Sequence, residues 1–231
     1  MKLHFMQSGW IRTWRHLLVR RAAEGVRFTV PIPFYLIEHE KGMVLFDCGQ
    51  IPPESEPPPE ANYITEMTRE DIAVNVLKAR GFDPQKLCRI IISHSHGDHI
   101  DGLQALPDVP CYIQRREPGG FLEKYADRQW YLLDGEYDLF GDGRIILLPT
   151  YGHTAGHQSL LLTLDDGQKL LLAVDAAYTG EAVEQYPVTE AEKEEPYWQT
   201  IARLQEFRRQ GVRVIPGHDP SCWEQLMQEF Y

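Results

Sequence analysis

The chain has 231 residues, 43% hydrophobic and 25% charged, which is enough apolar material for one well-filled core over residues 1–231 and too much for a disordered chain. A formal net charge of -11 gives phosphate backbones no basic face to meet, so nucleic acid is excluded as a partner. Residues 1–5 are too short and polar for a signal segment, and no apolar run approaches the roughly 18 residues a bilayer span requires, so no stable membrane insertion is expected. Four cysteines (Cys48, Cys88, Cys111 and Cys222) stand far apart without a Cys-x-x-Cys pair, which predicts free thiols and a cytoplasmic protein.

Residues 2–6 and 28–38 read as strands. In the second, Val30, Ile32, Phe34 and Leu36 alternate with Pro31 and Pro33 among them, and the prolines predict an edge or strand-entry position. The stretch between holds Arg15, Arg20 and Arg21 interleaved with Trp10, Trp14, Leu17 and Leu18, a capping or pocket-lining segment. Gly42 turns the chain into a strand over 43–46, which ends on Asp47, a carboxylate at the rim of the sheet. Residues 50–62 carry five prolines and three glutamates and predict an extended loop. Thr68, Glu70 and Asp71 open a helix that stops at Gly81. A strand over 89–92 follows.

Past the histidine-rich stretch that comes next, residues 100–106 predict a short helix, 111–114 a strand, and 118–138 mixed helical pieces. Runs at 144–148, 159–164 and 169–174 are strands, the last two joined by the hairpin turn Asp165-Asp166-Gly167. Residues 190–195 form an acidic, solvated run. Pro196 begins a helix that stops at Gly211, a strand covers 212–215, and a helix over 223–230 closes the chain.

The stretch that carries chemistry is Ser93-His94-Ser95-His96-Gly97-Asp98-His99-Ile100-Asp101-Gly102. Three imidazoles and a carboxylate within six residues, just past a buried strand, are the nitrogen and oxygen donors that borderline divalent metals prefer. Further donors follow later strands: His153, Asp175 and His218. Seven ligands suffice for two metals, as trios His94/His96/His153 and Asp98/His99/His218 with Asp175 between them, leaving positions open for water and substrate. His157 competes with His153 for one slot. Gly152 frees the backbone beside His153, so His153 is taken as the ligand and His157 as a hydrogen-bonding neighbour. His4, His16 and His39 lie outside the pattern.

In this chain order, His94-Ser95-His96-Gly97-Asp98-His99, Gly152-His153-Thr154-Ala155-Gly156-His157, Asp175 and Gly217-His218 resemble the signature of the metallo-β-lactamase superfamily. Phe46-Asp47-Cys48-Gly49, Met67-Thr68-Arg69-Glu70-Asp71 and Asp175-Ala176-Ala177-Tyr178-Thr179 bring the resemblance closer to the N-acyl homoserine lactonases, over nearly the whole chain. The resemblance implies an α/β fold, an αβ/βα four-layer sandwich with the site on the shared rim of two mixed sheets. It implies two divalent metal ions bridged by Asp175, zinc first, with manganese, iron or cobalt admissible. The implied reaction opens a small-molecule lactone with a hydroxide held between the metals. Tyr178 and Asp98 are the catalytic candidates, one hydrogen-bonding the developing oxyanion and the other handing a proton to the departing alkoxide, while Asp47 and His157 orient ligands. A homodimer fits the resemblance. Another lactone, a thioester or a non-catalytic sensing module stay open as alternatives. One departure is the 50–62 loop, proline- and glutamate-rich where the lactonases place aromatic pocket residues.

Overall fold

A computed structural model describes residues 1–19, 22–184 and 195–229. Arg20, Arg21 and residues 190–194 of the acidic run lie outside the described residues. In chain order the elements are β1 (Lys2–Trp14), α1 (Arg15–Leu18), β2 (Arg27–His39), β3 (Gly42–Phe46), β4 (Tyr63–Glu66), α2 (Ala73–Ala79), β5 (Leu87–Ile91), α3 (Gly97–Ile100), β6 (Cys111–Gln114), α4 (Gly120–Lys124), β7 (Trp130–Leu133), β8 (Tyr137–Asp138), β9 (Ile145–Pro149), β10 (Gln158–Thr163), β11 (Lys169–Val174), α5 (Gly180–Glu184), α6 (Glu195–Arg209), β12 (Arg213–Pro216) and α7 (Pro220–Glu229).

The strands form a seven-stranded sheet in the order β4-β1-β2-β3-β5-β6-β7 and a five-stranded sheet in the order β12-β11-β10-β9-β8. Both are mixed: β3, β5, β6 and β7 run parallel, as do β11 and β12. Alternation sorts the side chains into layers. Tyr35, Ile37, Val44 and Phe46 meet Leu147, Leu160, Leu162 and Leu172 between the sheets. Leu36, Leu45 and Ile90 face α2 through Ala73 and Leu77 on one outer side, while Leu171 and Ala173 meet Tyr197, Ile201 and Leu204 of α6 on the other. The result is the four-layer α/β sandwich. α7 instead plugs one end of the inter-sheet core with Trp223 and Leu226.

Three sequence expectations change. β1 runs to Trp14 rather than stopping near Met6, because a bulge between Gln7 and Trp10, with Gly9 at φ 79°, resets the alternation that the sequence shows as a break. β2 lies between β1 and β3, not at an edge: Pro31 and Pro33 pair with Trp10 and Gln7, flanking that bulge, where the missing N–H groups cost no regular ladder bond. β7 and β8 also lie where helical pieces alone are expected, although α4 is there. Beyond the bulge, Ile11 and Thr13 sit opposite Thr65 and Tyr63 on β4, with Val30 of β2 across from Ile11. This extension forms one wall of the cavity described next.

Candidate metal centre

Each parallel strand whose C-terminal end reaches the common rim delivers donors there. β5 leads into buried Ser93 and His94, then His96, and α3 carries Asp98 and His99; the β9–β10 loop supplies His153, β11 ends on Asp175, and β12 leads to His218. Asp175 is placed by a strained corner. Val174 holds φ 52°, a conformation costly for a β-branched residue, and is fixed by Gly217 N–H donating to its carbonyl at 3.1 Å. A Cβ on Gly217 would come within 2.8 Å of that same carbonyl carbon, so the close approach requires glycine.

The donors fall into two sets. In one, His94 Nε2, His96 Nδ1 and His153 Nε2 lie 3.0, 3.1 and 3.0 Å apart, and Asp175 Oδ2 is 3.3 Å from His153 Nε2 and 3.8 Å from His94 Nε2. In the other, His99 Nε2 is 3.4 Å from Asp98 Oδ2 and 3.3 Å from Asp175 Oδ1, and His218 Nε2 lies 3.6 and 3.0 Å from the same two oxygens. Donors about 2.0–2.1 Å from one tetrahedral ion are about 3.3 Å apart. Both sets match that spacing, and Asp175 turns one oxygen to each. His99 Nε2 and Asp175 Oδ1 are buried without a hydrogen-bond partner among the described residues, as atoms reserved for a cation would be.

A second layer fixes the tautomers. His99 Nδ1 donates to Asp47 Oδ2 at 2.9 Å, and Ser93 donates to Asp47 from both N (2.7 Å) and Oγ (2.8 Å). That serine hydroxyl accepts from His94 Nδ1 at 2.9 Å, so one buried carboxylate, on a residue at φ 58°, orients a ligand in each set. His218 Nδ1 donates to the Pro31 carbonyl at 2.8 Å. Tyr178 Oη lies 3.0 Å from His153 Nδ1. If Nε2 carries the lone pair toward a cation, Nδ1–H donates to the tyrosine oxygen, at the edge of the cavity that Tyr178 lines. His157 is fully buried beside His94 with its Nδ1 2.9 Å from Thr150 Oγ1, outside both sets.

The electrostatics ask for positive charge. Burial works against a charged His99, yet Asp98, Asp175 and Asp47 lift its pKa well above the ordinary value; His218 is raised in the same way, against burial, by Asp175 and Asp98. Burial would raise Asp98, but His99 and His218 hold it at about 2, and Asp175 is held well below the usual range by His218, His99 and His153 despite its burial. His94 moves well below its ordinary value, first through burial and then through the neighbouring imidazoles, so it stays neutral and able to coordinate.

The cluster opens on a cavity of ≈ 380 Å³ whose other walls include Ile11, Leu18, Val30, Gln50, Tyr63 and Thr65. Leu18 fulfils the pocket-lining expectation for its segment, whereas Trp14 lies under the Arg27 guanidinium, 3.5 Å from the ring centre. Of the 50–62 loop, only Gln50 reaches this cavity.

Sequence reading missed Glu117. This buried carboxylate accepts from Ser95 N at 2.9 Å and Oγ at 2.7 Å on one oxygen, and from Thr154 Oγ1 at 2.6 Å and Gly156 N at 3.2 Å on the other. It joins the two ligand loops of the His94/His96/His153 set. No motif points to it; the remaining signal is Gly156, where a Cβ would fall 2.1 Å from Glu117 N.

Two mixed sheets packed face to face between helices, with a double His/Asp cluster on their common rim, define a metallo-hydrolase sandwich. The chain belongs to the Metallo-beta-lactamase superfamily, whose sequence profile matches residues 28–218. It is 30% identical to N-acyl homoserine lactonase AttM of Rhizobium johnstonii, over 100% of this chain and 98% of that protein. Among solved structures, a variant of AiiA from B. thuringiensis with N-decanoyl-L-homoserine at the active site superposes with a TM-score of 0.86 at 29% identity, covering 97% of this chain and 95% of the other. An N-acyl homoserine lactone hydrolase with its product N-hexanoyl-L-homoserine at the catalytic metal centre gives 0.85 at 28%, with the same coverage.

Proposed function

We propose that the protein is a metal-dependent lactonase that opens the ring of N-acyl homoserine lactones, with His94, His96, His153 and Asp175 holding one divalent ion and Asp98, His99, His218 and Asp175 the other. The observation that carries this reading is the pair of tetrahedrally spaced donor sets sharing Asp175, beside Tyr178, on the floor of one half-apolar cavity. Zinc suits an all-imidazole and carboxylate set with open positions. Bound there, the cations supply Lewis acidity and lower the pKa of a water toward about 7.

The chain's own residues do the rest. Tyr178, its oxygen engaged by His153 Nδ1–H, turns its phenolic proton to the lactone carbonyl oxygen as charge develops there. Asp98, kept ionised by His99 and His218, takes the proton of the attacking water and passes it to the ring oxygen as the acyl C–O bond breaks. One water is consumed: one of its protons ends on the ring oxygen as the new hydroxyl, and the new carboxylic acid releases the other to solvent as it becomes a carboxylate, the proton a pH indicator reads. Ile11, Leu18 and Val30 offer an apolar wall to the acyl chain.

The test is a panel of acyl homoserine lactones, simple lactones and thioesters in a pH-indicator assay, with metal content measured on the same sample. Lactone opening that disappears on chelation and returns with metal is expected. A fully metal-loaded protein that leaves lactones intact, or prefers thioesters, refutes the proposal.

A further inference from the structure

Gln50 is held in a way that a solvated surface glutamine is not. The segment before it is locked to the histidine loop: Cys48 N donates to His99 O at 2.8 Å and Gly102 N to Gly49 O at 3.0 Å. Gly49 stands at φ 64°, and a Cβ there would lie 2.2 Å from Ser8 Cβ, so the chain presses directly on β1. Buried Ser8 then clamps the Gln50 backbone at both ends, accepting from its N–H at 3.2 Å and donating to its carbonyl at 3.4 Å. The side chain is fixed as well. Thr65 Oγ1 donates to Gln50 Oε1 at 3.0 Å, which leaves Nε2 as the end without a protein partner among the described residues. Gln50 is half-buried and lines the same cavity as His96, Asp98, His153, Asp175, Tyr178 and His218.

A half-buried amide donor, anchored at its other end and facing a cavity whose remaining wall is Ile11, Leu18 and Val30, is suited to one ligand chemistry. That chemistry is a carbonyl acceptor carried three bonds from the reacting ester carbon, with an apolar chain beyond it. We propose that Gln50 is a specificity-determining residue that donates from Nε2 to the amide carbonyl of an α-acylamino lactone, selecting such substrates over lactones without the amide. The inference rests on the lactonase reading above and names the part of the substrate that this wall recognises. Fixing the side chain in advance lowers the entropy lost on binding, and a substrate without the acceptor leaves a partly desolvated donor unpaired.

The experiment compares kcat/KM for N-hexanoyl homoserine lactone and for an unsubstituted alkyl γ-lactone of similar length, in the metal-loaded wild type, Gln50→Met and Thr65→Val. Methionine keeps the length and removes the donor; valine keeps Gln50 and removes its anchor. In Gln50→Met the ratio of the two values falls about tenfold, the worth of one neutral hydrogen bond, chiefly through KM of the acylamino substrate. Thr65→Val shifts the ratio in the same direction by less. Metal content and thermal midpoint, read on each variant, separate this from a folding defect. An unchanged ratio in Gln50→Met, or an equal fall on both substrates, overturns the role of Gln50 while leaving the lactonase reading intact. A metal-loaded wild type that opens neither lactone overturns both.

Discussion

Replacing Asp47 with asparagine alters a single atom, directly behind the ligand His99, and is predicted to weaken metal binding in one half of the centre. Asparagine tolerates the left-handed backbone at φ 58° and has the same shape, so the fold is expected to persist. Its amide, however, cannot satisfy all three donors that now converge on the carboxylate. With the NH2 toward Ser93 N, two donors face each other at a separation of 2.7 Å, and a buried group goes unpaired at a cost of about 1–3 kcal/mol. With the NH2 toward His99, the ring must accept at Nδ1 and carry its proton at Nε2, the atom that faces Asp98 and Asp175. The second arrangement blocks a ligand position, and changes in this layer of a metal site typically lower affinity about 10–100-fold, or about 1.4–2.8 kcal/mol. The assay is stepwise zinc binding by chelator competition, with imidazole NMR reporting the tautomer and circular dichroism the fold. Two ions bound with wild-type affinity, and a His99 proton still on Nδ1, would refute the reasoning.

Other substitutions test neighbouring parts of the argument. Glu117→Gln sets its NH2 against one backbone N–H, of Ser95 or of Gly156, whichever way the amide turns, since only the Ser95 and Thr154 hydroxyls can rotate to accept, so weaker binding at the His94/His96/His153 set and a loss of about 1–3 kcal/mol in urea unfolding are expected; wild-type values in both would remove its role. Tyr178→Phe is expected to lower kcat by about 10²-fold at full metal occupancy, and unchanged turnover would take the hydroxyl out of the mechanism. Gly102→Ala places a Cβ 1.9 Å from the Cys48 carbonyl oxygen, a backbone clash that no rotamer relieves, and a thermal melt should show destabilisation of about 1–3 kcal/mol. Because His99 and His218 hold protons above their ordinary range in the metal-free protein, metal uptake near pH 7 should release protons. That release should fade as pH rises through their elevated pKa values, and calorimetry in buffers of different ionisation heat reads it. Burial raises Cys48 well above its usual pKa, Cys111 to about 12 and Cys222 to about 11, so these thiols should label slowly at pH 8 until the chain unfolds.

What the sequence discloses depends on how locally each feature is encoded. Residues 94–99 carry four donors in one loop, and buried runs such as 111–114 and 169–174 have a single periodicity with clear turns, so these stand in the structure where the sequence puts them. The β1 extension is hidden because Ser8 and Gly9 shift the period at a bulge, which becomes visible only against its partner strand. Pro31 and Pro33 suggest an edge for the same reason, since what tolerates them is that bulge on the neighbouring strand. Tyr178 was legible as a residue near Asp175, but its link to His153 spans 25 positions, and Glu117 reaches partners 22 to 39 positions away. Such bonds have no period or spacing to read.

The bonds behind the ligands set the chemistry of the centre, and of their acceptors Asp47 alone is given that role by the sequence reading. Asp47, Tyr178 and the Pro31 carbonyl each accept from a histidine Nδ1, directing the opposite ring nitrogen toward the cluster. Asp47, Asp98 and Asp175 converge there against imidazoles, and among the described residues no lysine or arginine pairs with these three buried or nearly buried carboxylates. Without a metal the balance falls to protons on His99 and His218, which is why their pKa values rise. Two divalent ions would supply that charge without a proton on the ligand nitrogens, so stability and metal loading are coupled through the same six or seven side chains. The strained corner at Val174 and the left-handed Asp47 are positioned by the packing of both sheets. The scaffold therefore bears the cost of the site's geometry, while the cations would bear the cost of its charge.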